Sequence, residues 1–147
     1  MQALNFPKAT LKLTQNNGSV YVWCPIRRKN LLLTPEEWVR QHAIHYLVSV
    51  LEIPMGRIAS EHTVKINGQN RRCDLMVISN EGKPQLIVEC KAPEIQLTER
   101  TFLQTSHYVS VLQVPYFMMT NGLIHVMAKT EGTEIVYLSA IPPYSQW

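Results

Sequence analysis

The chain has 147 residues and a formal net charge of +3, from 14 lysines and arginines against 11 acidic residues. A single domain of this length buries roughly two thirds of its unfolded surface, and its small positive charge permits a nucleic-acid partner without requiring one. No apolar run approaches the ~20 residues of a membrane span and no signal-peptide core is visible, so we expect a cytoplasmic protein with no membrane partner.

The N-terminal region predicts a β-hairpin. Strands at residues 10–14 and 20–23 flank the turn-forming segment Asn16-Asn17-Gly18. We therefore expect one domain over residues 1–147, with a hairpin extension (1–30), a core (31–128), and a C-terminal strand and tail (129–147). The tail after Pro142 is expected to be either loosely ordered or a contact segment.

The first helix is predicted to begin at Thr34, because Thr34-Pro35-Glu36-Glu37 supplies an N-cap, a proline at the first helical position and a capping-box acid. It should run to about Leu51. Its apolar stripe consists of Val39, Ala43, Tyr46, Leu47 and Val50.

Two apolar strands after this helix carry acids near their ends. A strand at 61–66 is followed by one at 73–78, which contains Asp74, and one at 86–92, which contains Glu89. The turn-rich segment between the second and third strands predicts a hairpin that can set Asp74 beside Glu89. Because side chains alternate along a strand, Lys91 should share a face with Glu89.

Two carboxylates in a partly desolvated cleft repel each other, and a divalent cation relieves that repulsion. Oxygen ligands of this kind suit Mg²⁺, with Mn²⁺ as a substitute, and the backbone carbonyl of Cys90 is a natural third ligand. Lys91 could then orient or help deprotonate a water that attacks a phosphodiester. The alternative is that Glu89 and Lys91 form an ordinary surface pair.

The rest of the chain predicts a second helix at about 97–112 and strands at 116–119, 123–128 and 134–138. Gln104 shares a helix face with Arg100 and Tyr108, and this face is either functional or simply solvated. The basic clusters Arg27-Arg28-Lys29 and Arg71-Arg72 offer Arg28, Arg71 and Arg72 as DNA-binding candidates, with ordinary solvated surface as the alternative.

The sequence lacks the motifs of disulfide frameworks, zinc sites and ATP-binding loops. The cysteines are odd in number and show no C-x-x-C spacing, so we expect buried thiols rather than disulfides or zinc. There is no G-x-x-x-x-G-K-[ST] loop, so no ATP binding is expected.

The acidic pattern resembles the PD-(D/E)xK nuclease superfamily. The segments Thr34 to Gln41, Arg71 to Asp74, Val88 to Pro93 and Thr120-Asn121-Gly122 resemble the N-terminal nuclease domain of type I restriction motor subunits, in a short stand-alone form. The proline that names the superfamily motif is replaced here by Cys73.

The resemblance covers about residues 25–128 and implies a mixed αβββαβ nuclease core with catalytic roles for Asp74, Glu89 and Lys91. It also implies an additional acid at Glu37, for which helix capping is the alternative, and a glutamine at Gln104 that holds the lysine or a phosphate.

We therefore expect a restriction-endonuclease-like α/β fold, plus an N-terminal hairpin, that acts as a Mg²⁺-dependent DNA endonuclease in restriction or DNA defence. The alternative is a non-catalytic DNA-binding or assembly subunit of such a complex. A second copy of the chain and other restriction-system subunits are candidate partners besides DNA.

Overall fold

A computed structural model describes all 147 residues, with two β-sheets and two α-helices. The strands are β1 (Leu13–Asn16), β2 (Ser19–Cys24), β3 (Lys29–Leu32), β4 (Ile58–Ile66), β5 (Gln69–Ile78), β6 (Pro84–Cys90), β7 (Tyr116–Thr120), β8 (His125–Glu131) and β9 (Glu134–Leu138). The helices are α1 (Pro35–Ser49) and α2 (Glu99–Val111). Neither helix has the length and apolar character needed to cross a bilayer.

The larger sheet contains six strands in the order β4-β5-β6-β7-β8-β9. Its neighbouring strands are antiparallel, except that β6 and β7 are parallel and are connected through α2. This is the expected mixed α/β fold, consistent with a restriction-endonuclease-like fold, and its six strands correspond to the six predicted after the first helix, most of them with different bounds. Strands β4 and β5 each begin earlier than predicted and pair along most of their length, whereas β9 pairs with β8 at the predicted residues.

The two faces of this sheet carry separate apolar clusters, because side chains alternate along each strand. The cluster under α1 includes Leu75 and Val88, and the cluster under α2 includes Met76, Ile87 and Phe102. The central strand β6 is therefore covered on both faces, and Glu89 is its only charged residue.

The predicted apolar stripe of α1 is confirmed in its first part. Val39, Ala43 and Leu47 are fully buried, and Tyr46 is half-buried. Val50 is exposed because the helix ends one residue before it, so its place in the stripe is wrong.

The N-terminal region is a three-stranded sheet rather than a hairpin. Strand β1 starts three residues later than predicted, and β3 pairs with β2 to form a third strand. The β1–β2 turn lies where it was expected, at Asn17 and Gly18, whose positive φ values suit a two-residue hairpin loop. Strand β3 gave no alternating apolar signal, because it opens on the exposed polar residues Lys29 and Asn30.

The C-terminal tail is a contact segment rather than a loosely ordered one. Tyr144 and Trp147 pack against the cluster under α1, and the Tyr144 N–H donates to the Leu51 carbonyl at 2.9 Å. The Trp147 ring N–H donates to the Pro142 carbonyl at 2.8 Å.

Candidate functional site

The predicted acids lie side by side on β5 and β6. The antiparallel register pairs Leu75 with Val88 and Met76 with Ile87, so its continuation sets Asp74 opposite Glu89. Asp74 comes directly before the β5 residues that pair with β6, and β6 ends one residue after Glu89. The carboxylates therefore lie where the covered part of the sheet ends, and both residues are half-buried.

Asp74 is held by two donors. Its Oδ2 accepts the Cys90 N–H at 2.7 Å, and its Oδ1 accepts Nη2 of Arg40 at 2.9 Å. The first bond ties the acid to the end of β6, and the second ties it to α1. Asp74 is consequently fixed in position before any ligand arrives.

Arg40 is a site residue that the sequence analysis did not single out. Its guanidinium is buried and also binds the carboxylates of Glu37 and Glu36, the latter at 2.9 Å. Burial by itself lowers the pKa of Arg40, but the Asp74 and Glu37 carboxylates outweigh that effect and raise it. The spacing of Arg40 three and four residues after two acids was the available signal.

Glu37 does not close a capping box. The Thr34 side chain accepts the Glu37 N–H at 3.1 Å, which confirms the N-cap, but the Glu37 carboxylate bonds to Arg40 and to Nε2 of Gln41 instead. Glu37 is therefore linked to Asp74 through Arg40. Its direct role as an additional acid stays a prediction.

Glu89 is held from the opposite side of the sheet. Its Oε1 accepts the hydroxyl of Tyr108, a residue of α2, at 2.5 Å. Burial, and next the neighbouring Asp74 charge, raise the pKa of Glu89 to about 7, while the Tyr108 hydrogen bond and the Lys91 charge act in the opposite direction. Glu89 therefore changes protonation near neutral pH.

Tyr108 is the second site residue that the sequence analysis missed, although its helix-face relation to Gln104 was recognised. Burial and the Glu89 carboxylate raise its pKa, so the hydroxyl stays a donor. The Arg71 guanidinium lies 5.0 Å from the centre of the Tyr108 ring, a cation–π arrangement. Arg71 is thereby connected to the acidic site through Tyr108.

Lys91 follows β6 directly, and its backbone is hydrogen-bonded to the end of β7. The Lys91 N–H donates to the Thr120 carbonyl at 2.8 Å. Its ammonium forms no salt bridge, yet it lies close enough to Glu89 to lower the pKa of that acid. The lysine is half-buried and available to a ligand.

The Thr120-Asn121-Gly122 segment supports this lysine. The Asn121 amide donates to the Ile95 carbonyl at 2.9 Å and accepts the N–H groups of Leu123 and Ile124. Gly122 has φ +85°, and a Cβ there would come within 2.7 Å of the Leu4 side chain. The segment is thus a rigid turn that presents the Thr120 carbonyl to Lys91.

The cysteines are confirmed as buried free thiols. Burial, followed by the Glu89 charge, raises the pKa of Cys73 to about 12, and burial and the Asp74 charge raise the pKa of Cys90. Both thiols stay neutral, which makes them poor nucleophiles and poor metal ligands. The Cys90 carbonyl as a metal ligand stays a prediction.

The remaining candidates lie on exposed surface. Gln104 lines an open groove with Arg71, Leu103 and His107, and it makes no side-chain hydrogen bond to Lys91. Arg28, Arg71 and Arg72 are all exposed, and Arg72 is two residues from Asp74. The roles of these four candidates stay predictions.

The donor set suits a hard divalent cation. Asp74 and Glu89 offer carboxylate oxygens, of which Glu89 Oε1 accepts the Tyr108 hydroxyl and the two Asp74 oxygens accept Arg40 and the Cys90 N–H. No group of three or more His, Cys, Asp or Glu side chains is arranged to hold a metal. Mg²⁺ commonly binds through one or two carboxylates and completes its shell with water and phosphate oxygens, so two acids fit this ion.

Comparison with known proteins identifies the family. The model of the type I restriction enzyme R protein N terminus matches residues 35–142, which is most of the chain. Comparison with curated proteins finds no match. The chain therefore belongs to the type I restriction enzyme R protein N-terminal family.

Proposed function

We propose that this member of the restriction enzyme R protein N-terminal family is a Mg²⁺-dependent DNA endonuclease that hydrolyses phosphodiester bonds. The observation that carries the proposal is the pairing of Asp74 and Glu89 with Lys91 beside them. Burial, and next the neighbouring Asp74 carboxylate, disfavour the charged form of Glu89 and raise its pKa to about 7, and a divalent cation bound between the two acids would offset that cost.

Asp74 and Glu89 would hold the Mg²⁺, with the Cys90 carbonyl as a further ligand. When bound, the ion supplies positive charge that polarises the phosphodiester and lowers the pKa of a coordinated water. Asp74 enters this role already oriented, since Arg40 and the Cys90 N–H each occupy one lone pair of its carboxylate. Glu89 enters it by losing its proton, with Tyr108 keeping the carboxylate in place.

Lys91 would act on the attacking water and on the phosphate. Its fixed backbone and unpaired ammonium allow it to orient the water and to stabilise the charge that develops on the non-bridging oxygens. A new P–O bond forms from this water, which releases a proton to solvent, as the P–O bond to the leaving nucleotide oxygen breaks and that oxygen takes up a proton. This arrangement gives hydrolysis without a covalent protein intermediate.

One observation favours a second function, that of a DNA-binding or assembly subunit with little activity. Arg40 already places a positive charge on Asp74, and Glu36 and Glu37 hold this arginine in a buried network. Because the Arg40 guanidinium already offsets the charge of Asp74, a bound metal ion would stabilise this site less. The two functions differ in turnover and not in affinity for DNA.

The test is incubation of the protein with supercoiled and linear DNA in Mg²⁺, Mn²⁺, Ca²⁺ or chelator. The nuclease proposal predicts nicked or linear product with Mg²⁺ and Mn²⁺ and none with chelator or with Asp74→Ala. If wild type and Asp74→Ala give equal product under every condition while DNA binding is retained, the subunit function replaces the nuclease function.

A further inference from the structure

The hairpin of β4 and β5 continues beyond the six-stranded sheet as a free two-stranded ribbon. Strand β5 pairs with β6 only from Leu75 to Ile78, whereas its pairing with β4 continues to the tip at Ile66 and Gln69. We call residues 62–73 the arm. Its two strands are hydrogen-bonded to each other and have no third strand beside them.

The arm carries positive charge and no acid. Lys65, Arg71 and Arg72 are exposed, and residues 62–73 contain no Asp or Glu. The acid at its base, Glu61, is paired with Arg27 at 2.5 Å. The ribbon therefore presents cations that form no salt bridge, on a segment that ends directly before Asp74.

The tip of the arm is rich in exposed amides. Asn67 and Gly68 both have positive φ, at 51° and 77°, which gives a tight two-residue turn whose twist matches the strands. Asn67, Gln69 and Asn70 are exposed on this turn. Amide side chains are both donors and acceptors and can bond bidentately to adenine in the major groove.

One face of the arm packs against the α2 side of the domain. Ile66 is buried and Val64 is partly buried in the cluster under α2, and Arg71 stacks on Tyr108. The opposite side of the ribbon is open, with Thr63, Lys65, Asn70 and Arg72 all exposed. One side therefore fixes the direction of the arm and the other is free for a partner.

We propose that the arm enters the major groove of duplex DNA, with its cations on the phosphates and its tip amides on base edges. A major groove about 12 Å wide admits a two-stranded ribbon. At about 3.3 Å per residue, Arg72 lies roughly 7 Å and the tip roughly 23 Å from Asp74 along the strand. The arm then sets the cut at a defined offset from the bases that it contacts.

This inference rests on the proposed function for its choice of DNA as the partner, and binding without cleavage tests it separately. Affinity for a duplex and for a single strand is measured by fluorescence anisotropy in Ca²⁺ over a salt series. The variants are Lys65→Ala on the arm and the double variant Gln69→Ala/Asn70→Ala at the tip. Lys83→Ala removes the same charge as Lys65→Ala but lies in the β5–β6 turn, at the far end of the sheet.

The arm should distinguish duplex from single strand. We expect Lys65→Ala to weaken duplex binding and to flatten the log-log salt slope by about 0.9, the value for one phosphate. The tip variant should weaken duplex binding roughly 10-fold or more at an unchanged slope, because it removes base contacts and no charge. Lys83→Ala should bind as wild type does, and unchanged circular dichroism should show that all variants are folded.

The inference is overturned if Lys65→Ala and the tip variant bind duplex as tightly as Lys83→Ala, or if wild type shows no preference for duplex. Loss of duplex binding in the arm variants, in a protein that cuts no DNA, would support the arm and remove the nuclease function. If the protein cuts DNA normally and the arm variants bind duplex as wild type does, the nuclease function is supported and the role of the arm is overturned.

Discussion

The α1 side and the α2 side of the acidic site hold their carboxylates by different chemistry. On the α1 side, Asp74 is bound by the buried cation Arg40, which is itself held by two further acids. On the α2 side, Glu89 is bound by the neutral hydroxyl of Tyr108. One acid is paired with a full charge and the other is not.

This difference explains why the pKa of Glu89 is raised. Burial and the adjacent Asp74 charge both disfavour an ionised Glu89, and a neutral hydrogen-bond donor offsets only part of that cost. The α1 side therefore serves as a fixed anchor. On the α2 side, Glu89 carries the raised pKa and is the acid whose charge is disfavoured.

Breaking the anchor should have the largest effect on stability. Arg40→Met leaves the buried Glu37 carboxylate without its cation, and we expect a loss of roughly 3–5 kcal/mol in the free energy of unfolding, measured by urea denaturation. Arg100→Met, on the exposed surface of α2, is the matched control and should change little. Adding Glu37→Gln to Arg40→Met should recover part of the loss, and no recovery would show that Arg40 does not act through this network.

Removing either acid should have the next largest effect, and it acts on metal affinity. Asp74→Asn or Glu89→Gln should weaken Mn²⁺ binding in calorimetry by more than roughly 100-fold, the upper cost of losing a residue that only supports a ligand. Lys91→Ala should leave this affinity largely intact, because the lysine acts on the water and the phosphate. Equal loss in all three variants would contradict the division of roles.

The same two acid variants should change stability in opposite directions at pH 8 without metal. Asp74→Asn loses a charged hydrogen bond to Arg40, at a cost of about 1.5–3 kcal/mol. Because the pKa of Glu89 is raised on folding, its proton stabilises the fold fully below pH 4.5, and this contribution is lost as pH rises through about 7. Glu89→Gln should therefore be more stable than wild type at pH 8, with the difference shrinking toward pH 5. If Glu89→Gln is less stable than wild type at pH 8, the proposed difference between Asp74 and Glu89 is contradicted.

The smallest expected effect concerns the pH dependence of metal binding. Mn²⁺ affinity should rise with pH up to about 7, by at most roughly tenfold per pH unit, because Glu89 must release one proton. Tyr108→Phe should move the midpoint to higher pH, since the lost hydrogen bond favours the ionised carboxylate. Tyr137→Phe on exposed β9 should leave the midpoint unchanged, and calorimetry between pH 5.5 and 8 measures both.

The sequence predicts the order of the core elements because those elements have strong local signals. The N-cap at Thr34 and the apolar strands around Asp74 and Glu89 each carry a pattern that tertiary packing does not reverse. Strand β3 lacks such a pattern, and only its pairing with β2 makes it a strand. Arg40 and Tyr108 could not be assigned from local patterns, because their hydrogen-bond partners are distant in sequence. Asp74 lies 34 residues from Arg40, and Glu89 lies 19 residues from Tyr108.

The central claim is that Lys91 is required for cleavage at a metal held by Asp74 and Glu89, and metal exchange on a preformed DNA complex tests it most directly. DNA is bound in Ca²⁺ by wild type or Lys91→Ala, and Mg²⁺ or Mn²⁺ is then added while product is followed over time. We predict cut or nicked product with wild type and a rate roughly 10²–10⁴-fold lower with Lys91→Ala at equal DNA binding. Equal and negligible product from both proteins with either metal would contradict the claim.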